Sequence, residues 1–133
     1  MRILIAEDDN VSRLILETQL RSMNHVVVST YDGLELVNTF RNFPNIYDVI
    51  ITDVTMPNMC GLEAAREIKK IRDISVVALT AYGQETKILD NNGVYIPWTT
   101  CDYYLRKPTT TESIREVLSA VADDDYRLSK RAY

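Results

Sequence analysis

Acidic, hydroxyl and amino side chains occur in this sequence at the ends of short apolar segments, and together they have one specific chemical use. Glu7 and Asp8 follow the first apolar segment, and Asp53 follows a later one. Thr80 and Lys107 come at the ends of two further segments. An aspartate that accepts a phosphoryl group with the help of a divalent cation needs nearby acids, a hydroxyl and a positive charge. These residue types therefore predict a site of phosphoryl transfer, with Asp53 as the acceptor.

Charge repulsion among Glu7, Asp8 and Asp53 would require a cation if the three share one crevice. Two carboxylates about 4 Å apart repel each other by roughly 4 kcal/mol at an effective dielectric constant of 20. Mg²⁺ prefers oxygen ligands and keeps several waters, which suits one or two carboxylates and a phosphoryl oxygen. We expect the Lys107 ammonium to contact the phosphoryl group, and the Thr80 hydroxyl to donate a hydrogen bond to it.

Each of these residues also has an ordinary structural explanation when it is considered alone. An aspartate after a strand, such as Asp53, is most often a turn former or a helix N-cap. The acidic run at Glu7 and Asp8 could be the solvated start of a helix, which the helix dipole favours. Lys107 could be a surface charge, and Thr80 a β-branched strand residue. The joint pattern is what favours a shared site.

The composition indicates one domain with a proper core and no basic surface. The chain has 133 residues, a net charge of −4 and a pI near 5.0, so direct binding to nucleic acid is not expected. The sequence shows neither a charged-then-apolar leader nor an apolar run of about 18 residues. Its two cysteines, Cys60 and Cys101, lack the spacing of a metal site. We therefore expect a cytoplasmic domain with reduced thiols and no membrane association.

Five short apolar segments predict five parallel strands. Each segment is continuously apolar, as expected of strands covered on both faces: Ile3–Ala6, Val26–Val28, Val49–Ile51, Val76–Leu79 and Tyr103–Leu105. Because helical patterns separate these segments, the crossovers should be right-handed, and the fold should be a doubly wound α/β sandwich of (βα)5 type. Functional groups then belong at the carboxyl ends of the strands.

Periodicity and capping signals locate the helices between these strands. The first pattern consists of Val11, Leu14, Ile15 and Thr18, and the last of Ile114, Val117, Leu118 and Val121. Two capping boxes are expected, Asp32 with Glu35 and Thr109 with Glu112, and Asp9 and Asn10 are expected to cap the first helix.

Two segments fit the alternation poorly. Residues 82–100 should carry the fourth helix, but breakers such as Gly83 and Pro97 predict a short or irregular helix followed by a loop. Apolar periodicity is lost near the end of the chain. We therefore assign the domain to residues 1–122 and expect residues 123–133 to be a C-terminal tail or a linker stub.

Four stretches, in this order, make nearly the whole chain resemble the receiver domain of two-component response regulators. They are Ile3–Asp9, Asp53–Gly61, Thr80–Ala81 and Asp102–Pro108. The resemblance implies a flavodoxin-like sheet with strand order 2-1-3-4-5. It also implies that the chain is a signalling domain rather than an enzyme. Such a domain catalyses only its own phosphorylation and dephosphorylation.

The resemblance further implies a role for each acidic candidate. Asp53 would be the phosphoacceptor. Glu7 and Asp8 would hold Mg²⁺, with Asp8 as the more direct ligand, and Asp53 and the backbone carbonyl of Thr55 would complete the metal site. The phosphoryl donor would be a phosphohistidine on a histidine kinase or on a histidine-containing phosphotransfer protein.

The remaining candidates would convert the modification into a conformational change. By the resemblance, Thr80 would be the switch hydroxyl, Tyr104 the aromatic side chain that turns inward, and Lys107 the residue that contacts the phosphoryl group. Phosphorylation would shift an existing equilibrium between an inactive and an active state. Tyr82 is bulky enough to shield the acyl phosphate from water, which would slow its hydrolysis.

Two departures from the family pattern affect what can be expected of partners. Cys60 occupies a position that is often acidic in the family, and residues 82–100 lack a regular fourth helix. The sequence from Glu7 through Arg13 is more similar to receivers of hybrid kinases and phosphorelays than to chemotaxis receivers. A stand-alone receiver, a phosphorelay intermediate and a fragment of a hybrid histidine kinase all remain open, as does the downstream partner.

Two other functions were considered. A haloacid-dehalogenase-like phosphatase also uses a strand-end aspartate with Mg²⁺, but it needs a second aspartate two residues later, where this chain has Thr55. A docking module that has lost phosphorylation would show a broken acidic pocket, whereas every expected position is filled here.

Overall fold

Five parallel strands form the central sheet of the computed structural model, which describes residues 1–81 and 87–131. In the described residues the strands are β1 (Arg2–Ala6), β2 (Val26–Thr30), β3 (Val49–Asp53), β4 (Val76–Thr80), β5 (Ile88–Leu89), β6 (Tyr95–Ile96) and β7 (Tyr103–Arg106). The large sheet has the order β2-β1-β3-β4-β7, and every neighbouring pair is parallel. Counting only these five strands, the order is the expected 2-1-3-4-5, which confirms the doubly wound α/β fold.

Four α-helices lie in the described residues, on the two faces of this sheet. They are α1 (Asn10–Ser22), α2 (Gly33–Asn42), α3 (Gly61–Ile71) and α4 (Thr111–Arg131). Of the two residues expected to cap α1, Asp9 is the N-cap and Asn10 is the first helical residue, and the predicted cap of α2 at Asp32 is confirmed. Asp9 accepts a hydrogen bond from the Ser12 amide at 2.8 Å, and Asp32 accepts one from the Glu35 amide at 2.8 Å.

Two apolar clusters cover the sheet, one on each face. Alternate residues of β1 point to opposite sides: Leu4 joins the cluster beneath α2 and α3, and Ile5 joins the cluster beneath α1 and α4. Both residues are fully buried. This arrangement explains why the strands read as continuously apolar in the sequence.

The helix predicted at the start of the chain is present, but a different face of it meets the core. Leu16 and Leu20 are the buried residues of α1, whereas Val11, Leu14 and Ile15 from the predicted pattern are 66%, 63% and 49% exposed. Apolar spacing therefore located the helix correctly without identifying its buried side. The exposed aliphatic side chains form a surface beside the carboxyl end of β1.

The connection between β4 and β7 contains a β-hairpin in place of the expected fourth helix, as far as it is described. β5 pairs with β6 in antiparallel fashion, and a short 3₁₀ turn at Trp98–Thr100 follows. The turn between the strands is stabilised by Asp90, whose side chain accepts hydrogen bonds from the amides of Asn92 and Val94. Gly93 supplies the positive φ of 78° that this turn needs. Residues 82–86, which include Tyr82, lie outside the described residues.

The last helix differs from the sequence expectation at both ends. Its N-cap is Thr110, whose hydroxyl accepts a hydrogen bond from the Ser113 amide at 3.0 Å, so the capping box predicted at Thr109 and Glu112 is wrong by one residue. Helix α4 continues past Val121 to Arg131. Ile114, Leu118 and Val121 are buried, as their spacing predicted. The division of the chain at residue 122 stays a prediction.

None of the helices within residues 1–81 and 87–131 combines the length and the apolar character that crossing a bilayer requires.

Candidate active site

The carboxyl ends of four parallel strands bring the predicted polar residues to one edge of the sheet. Asp53 is the last residue of β3 and is paired in register with Leu79, one position before Thr80 at the end of β4. Glu7 directly follows β1, and Lys107 directly follows β7. Because the strands are parallel and in register, their last residues lie at similar heights along the sheet. The sequence expectation that these residues share an edge is met.

Lys107 links the two acidic strand ends. Its Nζ donates hydrogen bonds to Glu7 Oε1 at 2.5 Å and to Asp53 Oδ2 at 2.7 Å. Burial by itself would lower the pKa of the Lys107 ammonium, but the hydrogen bonds that it donates to these two carboxylates, together with their negative charge, outweigh burial and raise that pKa. Lys107 is therefore a fixed positive charge in contact with Asp53.

Glu7 is an unusually placed carboxyl group. It is fully buried, and burial is the main reason that its pKa rises to about 7, with the neighbouring Asp53 adding to the effect. Oε2 of Glu7 is buried and has no hydrogen-bond partner among the described residues. A buried carboxylate oxygen without a partner is costly, so this atom is available to a cation.

Three carboxylates at this edge fit the donor set of a hard divalent cation. Glu7, Asp8 and Asp53 each offer an oxygen, and these atoms all lie within 4.8 Å of one another. Thr55 lies on the same side, where its amide donates to Asp53 Oδ1 at 3.3 Å. Oxygen atoms of this kind and number are the ligands that Mg²⁺ prefers. Asp8 is exposed, which leaves room for water ligands.

A crevice of about 180 Å³ opens in front of Asp53. It is lined by Asp53, Val54, Thr55, Thr80, Ala81 and Lys107. One water occupies about 30 Å³ in the liquid, so this volume has room for a phosphoryl group. Thr80 is 8% exposed, and its position on the crevice wall is the one expected of a hydroxyl that contacts such a group.

Tyr104 lies on β7, where it is paired in register with Ala78 of β4. Its half-buried ring packs against the cluster beneath α2 and α3, at 6.2 Å from the Trp98 ring. The hydroxyl of Tyr104 donates to the backbone carbonyl of Trp98, with a second contact to the carbonyl of Cys101 at 3.3 Å. Tyr104 is therefore inward-facing and tied to the segment that follows the hairpin.

Sequence reasoning did not identify Arg13 as part of the site. Its guanidinium donates to the Glu7 carbonyl at 2.9 Å and to Asn10 Oδ1 at 2.6 Å, and it lies 4.3 Å from the centre of the Tyr31 ring. These contacts fix the acidic loop that follows β1. Arg13 and Glu17 have the i, i+4 spacing of an ordinary helical ion pair, so no pattern in the sequence distinguishes Arg13.

Gly61 allows the start of α3 to approach the carboxyl end of β3, which carries Asp53, closely. Its amide donates to the Val54 carbonyl at 2.8 Å, and a Cβ at this position would lie 1.9 Å from the Asp53 carbonyl oxygen. Cys60, at the position that is often acidic in receivers, caps the same helix through its Sγ, which accepts from the Glu63 amide at 3.5 Å. The family motif thus has a steric basis at Gly61.

Gly61→Ala should lower the free energy of unfolding by about 3 kcal/mol, because backbone atoms must move to admit the methyl group. Gly93→Ala is the matched control. A Cβ there meets no atom within 4 Å, so only its φ of 78° opposes the substitution, at a cost of about 1 kcal/mol. Urea denaturation of both variants measures the difference. Equal destabilisation would contradict the proposed steric role of Gly61.

Comparison with known proteins places this arrangement in a family. A model of the response regulator receiver domain matches residues 3–119. The two-component response regulator ORR22 of Oryza sativa subsp. indica is 31% identical over 117 residues, which are 88% of this chain and 16% of that protein. The chain thus spans about one sixth of the length of this curated relative.

Two solved structures resemble the fold of this chain. The receiver domain of sensor histidine kinase PA1611 from Pseudomonas aeruginosa PAO1, solved with magnesium coordinated in its active-site cleft, has a TM-score of 0.76 and 27% identity, covering 90% of this chain and 94% of that one. A complex of histidine kinase ThkA with the response regulator protein TrrA gives a TM-score of 0.74 and 27% identity, covering 90% of this chain and 97% of the matched one.

Proposed function

Because the chain belongs to the family of response regulator receiver domains, we propose that Asp53 accepts a phosphoryl group from a phosphohistidine in a two-component or phosphorelay system. The chain is a signalling domain of such systems, and the haloacid-dehalogenase-like alternative is not favoured. The proposal goes further than family membership, since it assigns the reaction to particular side chains.

One observation carries this assignment. Lys107 Nζ lies 2.7 Å from Asp53 Oδ2, inside a crevice that also holds Thr80. An aspartate at the end of a buried strand, in contact with an ammonium group and facing a cavity, is placed to be modified. Asp53 also accepts a turn contact from the Thr55 amide at 3.3 Å, so its contact to Lys107 and its position on the crevice are what distinguish it from a structural aspartate such as Asp32, which caps α2.

Mg²⁺ would be held by Glu7, Asp8 and Asp53, together with the backbone carbonyl of Thr55. The orphaned Oε2 of Glu7 and the close spacing of the three carboxylates support this ligand set. When bound, the ion neutralises negative charge that builds up on the phosphoryl oxygens during transfer. In the PA1611 receiver, magnesium is coordinated in the active-site cleft.

The chain's own residues account for the transfer step. A carboxylate oxygen of Asp53 attacks phosphorus, the P–N bond of the phosphohistidine breaks, and the imidazole leaves with the bonding electron pair and takes up a proton. Lys107 stabilises negative charge on the transferred group, and Thr80 donates a hydrogen bond to it. The domain in this way catalyses its own phosphorylation, and the same groups promote hydrolysis of the acyl phosphate.

Phosphorylation of Asp53 would then change the conformation of the domain through Thr80 and Tyr104. Thr80 moves toward the new phosphoryl oxygen, and the space it vacates lets the Tyr104 ring shift within the core that it already borders. Tyr104 is hydrogen-bonded to the carbonyls of Trp98 and Cys101, so its movement reaches the segment that follows the hairpin. This equilibrium between two states is the output of the domain.

The phosphoryl donor would approach from the side of α1. Val11, Leu14 and Ile15 expose aliphatic side chains there, and a pocket of about 260 Å³ runs from Ile15 and Leu16 to Pro108, with Glu7 and Lys107 at its inner end. An apolar surface bordering an acidic reaction site suits a protein donor. The solved ThkA–TrrA complex is consistent with a histidine kinase as donor; a phosphotransfer protein is the other candidate.

A cytoplasmic location agrees with the two free cysteines.

Removing Mg²⁺ should suppress labelling of the wild-type chain by acetyl phosphate to background, and excess Mg²⁺ should restore it. Asp8→Asn should reproduce the effect of EDTA, because it removes one charged ligand. Asp73→Asn, whose side chain is 95% exposed and distant from the site, should label normally. Mass spectrometry of the intact chain measures the labelled fraction.

A second measurement checks metal binding without relying on labelling. Mg²⁺ at about 100 times its dissociation constant should stabilise the wild-type fold by about 2.7 kcal/mol, since only the folded state has the site. Calorimetric titration gives the dissociation constant. Labelling that persists in EDTA, or stabilisation of Asp8→Asn equal to that of the wild type, would contradict the metal assignment.

A further inference from the structure

The β5–β6 hairpin contacts the loop that follows Asp53, and we propose that Asn91 of this hairpin is a positioning residue for phosphoryl transfer. The proposal rests on the proposed function of Asp53. Nδ2 of Asn91 donates a hydrogen bond to the backbone carbonyl of Asn58 at 2.8 Å. Asn91 acts on the loop and does not touch the reacting group, so its role is to hold the loop in place.

The same loop is held from the opposite side by the start of α2. Nδ2 of Asn58 donates to Oδ2 of Asp32 at 2.8 Å, and Asp32 is the N-cap of that helix. The backbone of Asn58 has a φ of +68°, a conformation that asparagine tolerates better than most residues. A Cβ on Gly33 would lie 2.1 Å from the Met59 carbonyl oxygen, so the loop and α2 are in close contact. Asn58 is therefore fixed between α2 and the hairpin.

The hairpin can hold the loop because it is itself anchored to α3. Asp90 Oδ1 accepts hydrogen bonds from the amides of Asn92 and Val94, each at 2.9 Å. Asp90 Oδ2 accepts from both terminal nitrogens of Arg66 on α3, each at 3.2 Å. One carboxylate thus shapes the turn and binds it to the helix. Asn91, between these contacts, projects from a fixed turn.

The loop connects Asn58 to the groups that line the crevice. Its first residues include Thr55, whose amide contacts Asp53 Oδ1 and which borders the crevice. Its last residue before α3 is Cys60, and the adjacent Gly61 amide is bonded to the Val54 carbonyl. A displacement at Asn58 therefore changes the contact that orients the Asp53 carboxylate.

Coupling through these contacts must act in both directions. If the hairpin restrains the loop, then occupancy of the site restrains the hairpin. The segment that replaces a helix would in this way report the state of Asp53 through a hydrogen bond, in addition to the path through Tyr104. A partner bound to the hairpin would change the reactivity of Asp53.

Asn91→Ala and Asn92→Ala form a matched pair for testing this role. Both residues are exposed in one turn, but the Asn92 side chain makes no hydrogen bond to the described residues, and its amide contact to Asp90 survives the substitution. Loss of one solvent-exposed hydrogen bond should change the amide exchange rate of the loop by about three- to tenfold. Hydrogen exchange of the loop, residues 54–60, should rise by that factor in metal-free Asn91→Ala and remain at the wild-type rate in Asn92→Ala.

A second readout addresses the coupling to the site. With Mg²⁺ and acetyl phosphate, exchange of residues 87–96 should slow in the wild type and in Asn92→Ala, and should slow less in Asn91→Ala. The labelling rate of Asn91→Ala should fall by about three- to tenfold, with the melting temperature close to that of Asn92→Ala.

Equal loop exchange in the two variants would overturn the proposal. A wild-type chain that is not labelled at all would instead contradict the proposed function, and the exchange of the metal-free loop would still decide the role of Asn91. The two failures are therefore distinguishable.

Discussion

Asp53→Asn should reduce Mg²⁺-dependent labelling by acetyl phosphate to background, because the substitution removes the oxygen nucleophile while keeping the shape of the side chain. The fold should be retained. An amide can keep the contact to the Thr55 amide, and it relieves the repulsion that Asp53 exerts on Glu7. We expect the free energy of unfolding to stay equal or to rise slightly.

The control for this experiment is Asp73→Asn, the same chemical change at an exposed position two residues after α3. It should label at the wild-type rate. Intact-chain mass spectrometry, followed by peptide mapping of the acyl phosphate, identifies the modified residue. Mg²⁺-dependent labelling that persists in Asp53→Asn would refute the assignment of the phosphoacceptor.

Lys107→Met should slow phosphoryl transfer without weakening metal binding. Methionine keeps an unbranched side chain of similar length without the charge. Loss of a positioned charge at a reacting group typically costs a factor of about 10²–10³ in rate, so we expect labelling to slow by about a hundredfold. Mg²⁺ affinity should be unchanged or higher, because the ammonium no longer competes for Glu7 and Asp53.

Lys107 also lowers the pKa of Glu7, so this pKa should rise above its value of about 7 in the variant. Measurements at pH 8 keep more of Glu7 ionised and make the comparison of Mg²⁺ affinities clearer. Lys70→Met, at a lysine whose side chain is 65% exposed, is the control. Parallel losses of Mg²⁺ binding and labelling in Lys107→Met would show that Lys107 supports the structure of the site rather than the transfer.

The sheet and the site could be predicted from the sequence for the same physical reason. A buried parallel strand is continuously apolar, so polar residues at and just beyond its carboxyl end, such as Asp53 and Lys107, indicate where it ends. Parallel strands then bring those ends together. The capping of α2 was also predictable, because the Asp32–Glu35 pair is a local signal that needs no tertiary contact.

What could not be predicted depends on contacts between distant residues. Within the described residues, the segment after β4 forms a hairpin whose turn is stabilised by Asp90 and bound through it to Arg66 on α3, and the sequence does not indicate that pairing. The buried face of α1 was misjudged for a similar reason. Val11 and Leu14 have helical spacing, but the helix is oriented by the packing of Leu16 and Leu20 against the sheet.

The environment of Tyr104 also gives the domain a built-in optical reporter. Trp98 is the chain's single tryptophan, so intrinsic fluorescence excited at long wavelength comes from one indole. That indole is 6% exposed and sits 6.2 Å from the Tyr104 ring, whose hydroxyl is bonded to its backbone carbonyl. A ring rotation at Tyr104 would therefore change the emission spectrum directly, and stopped-flow recording could follow activation in real time without an added dye.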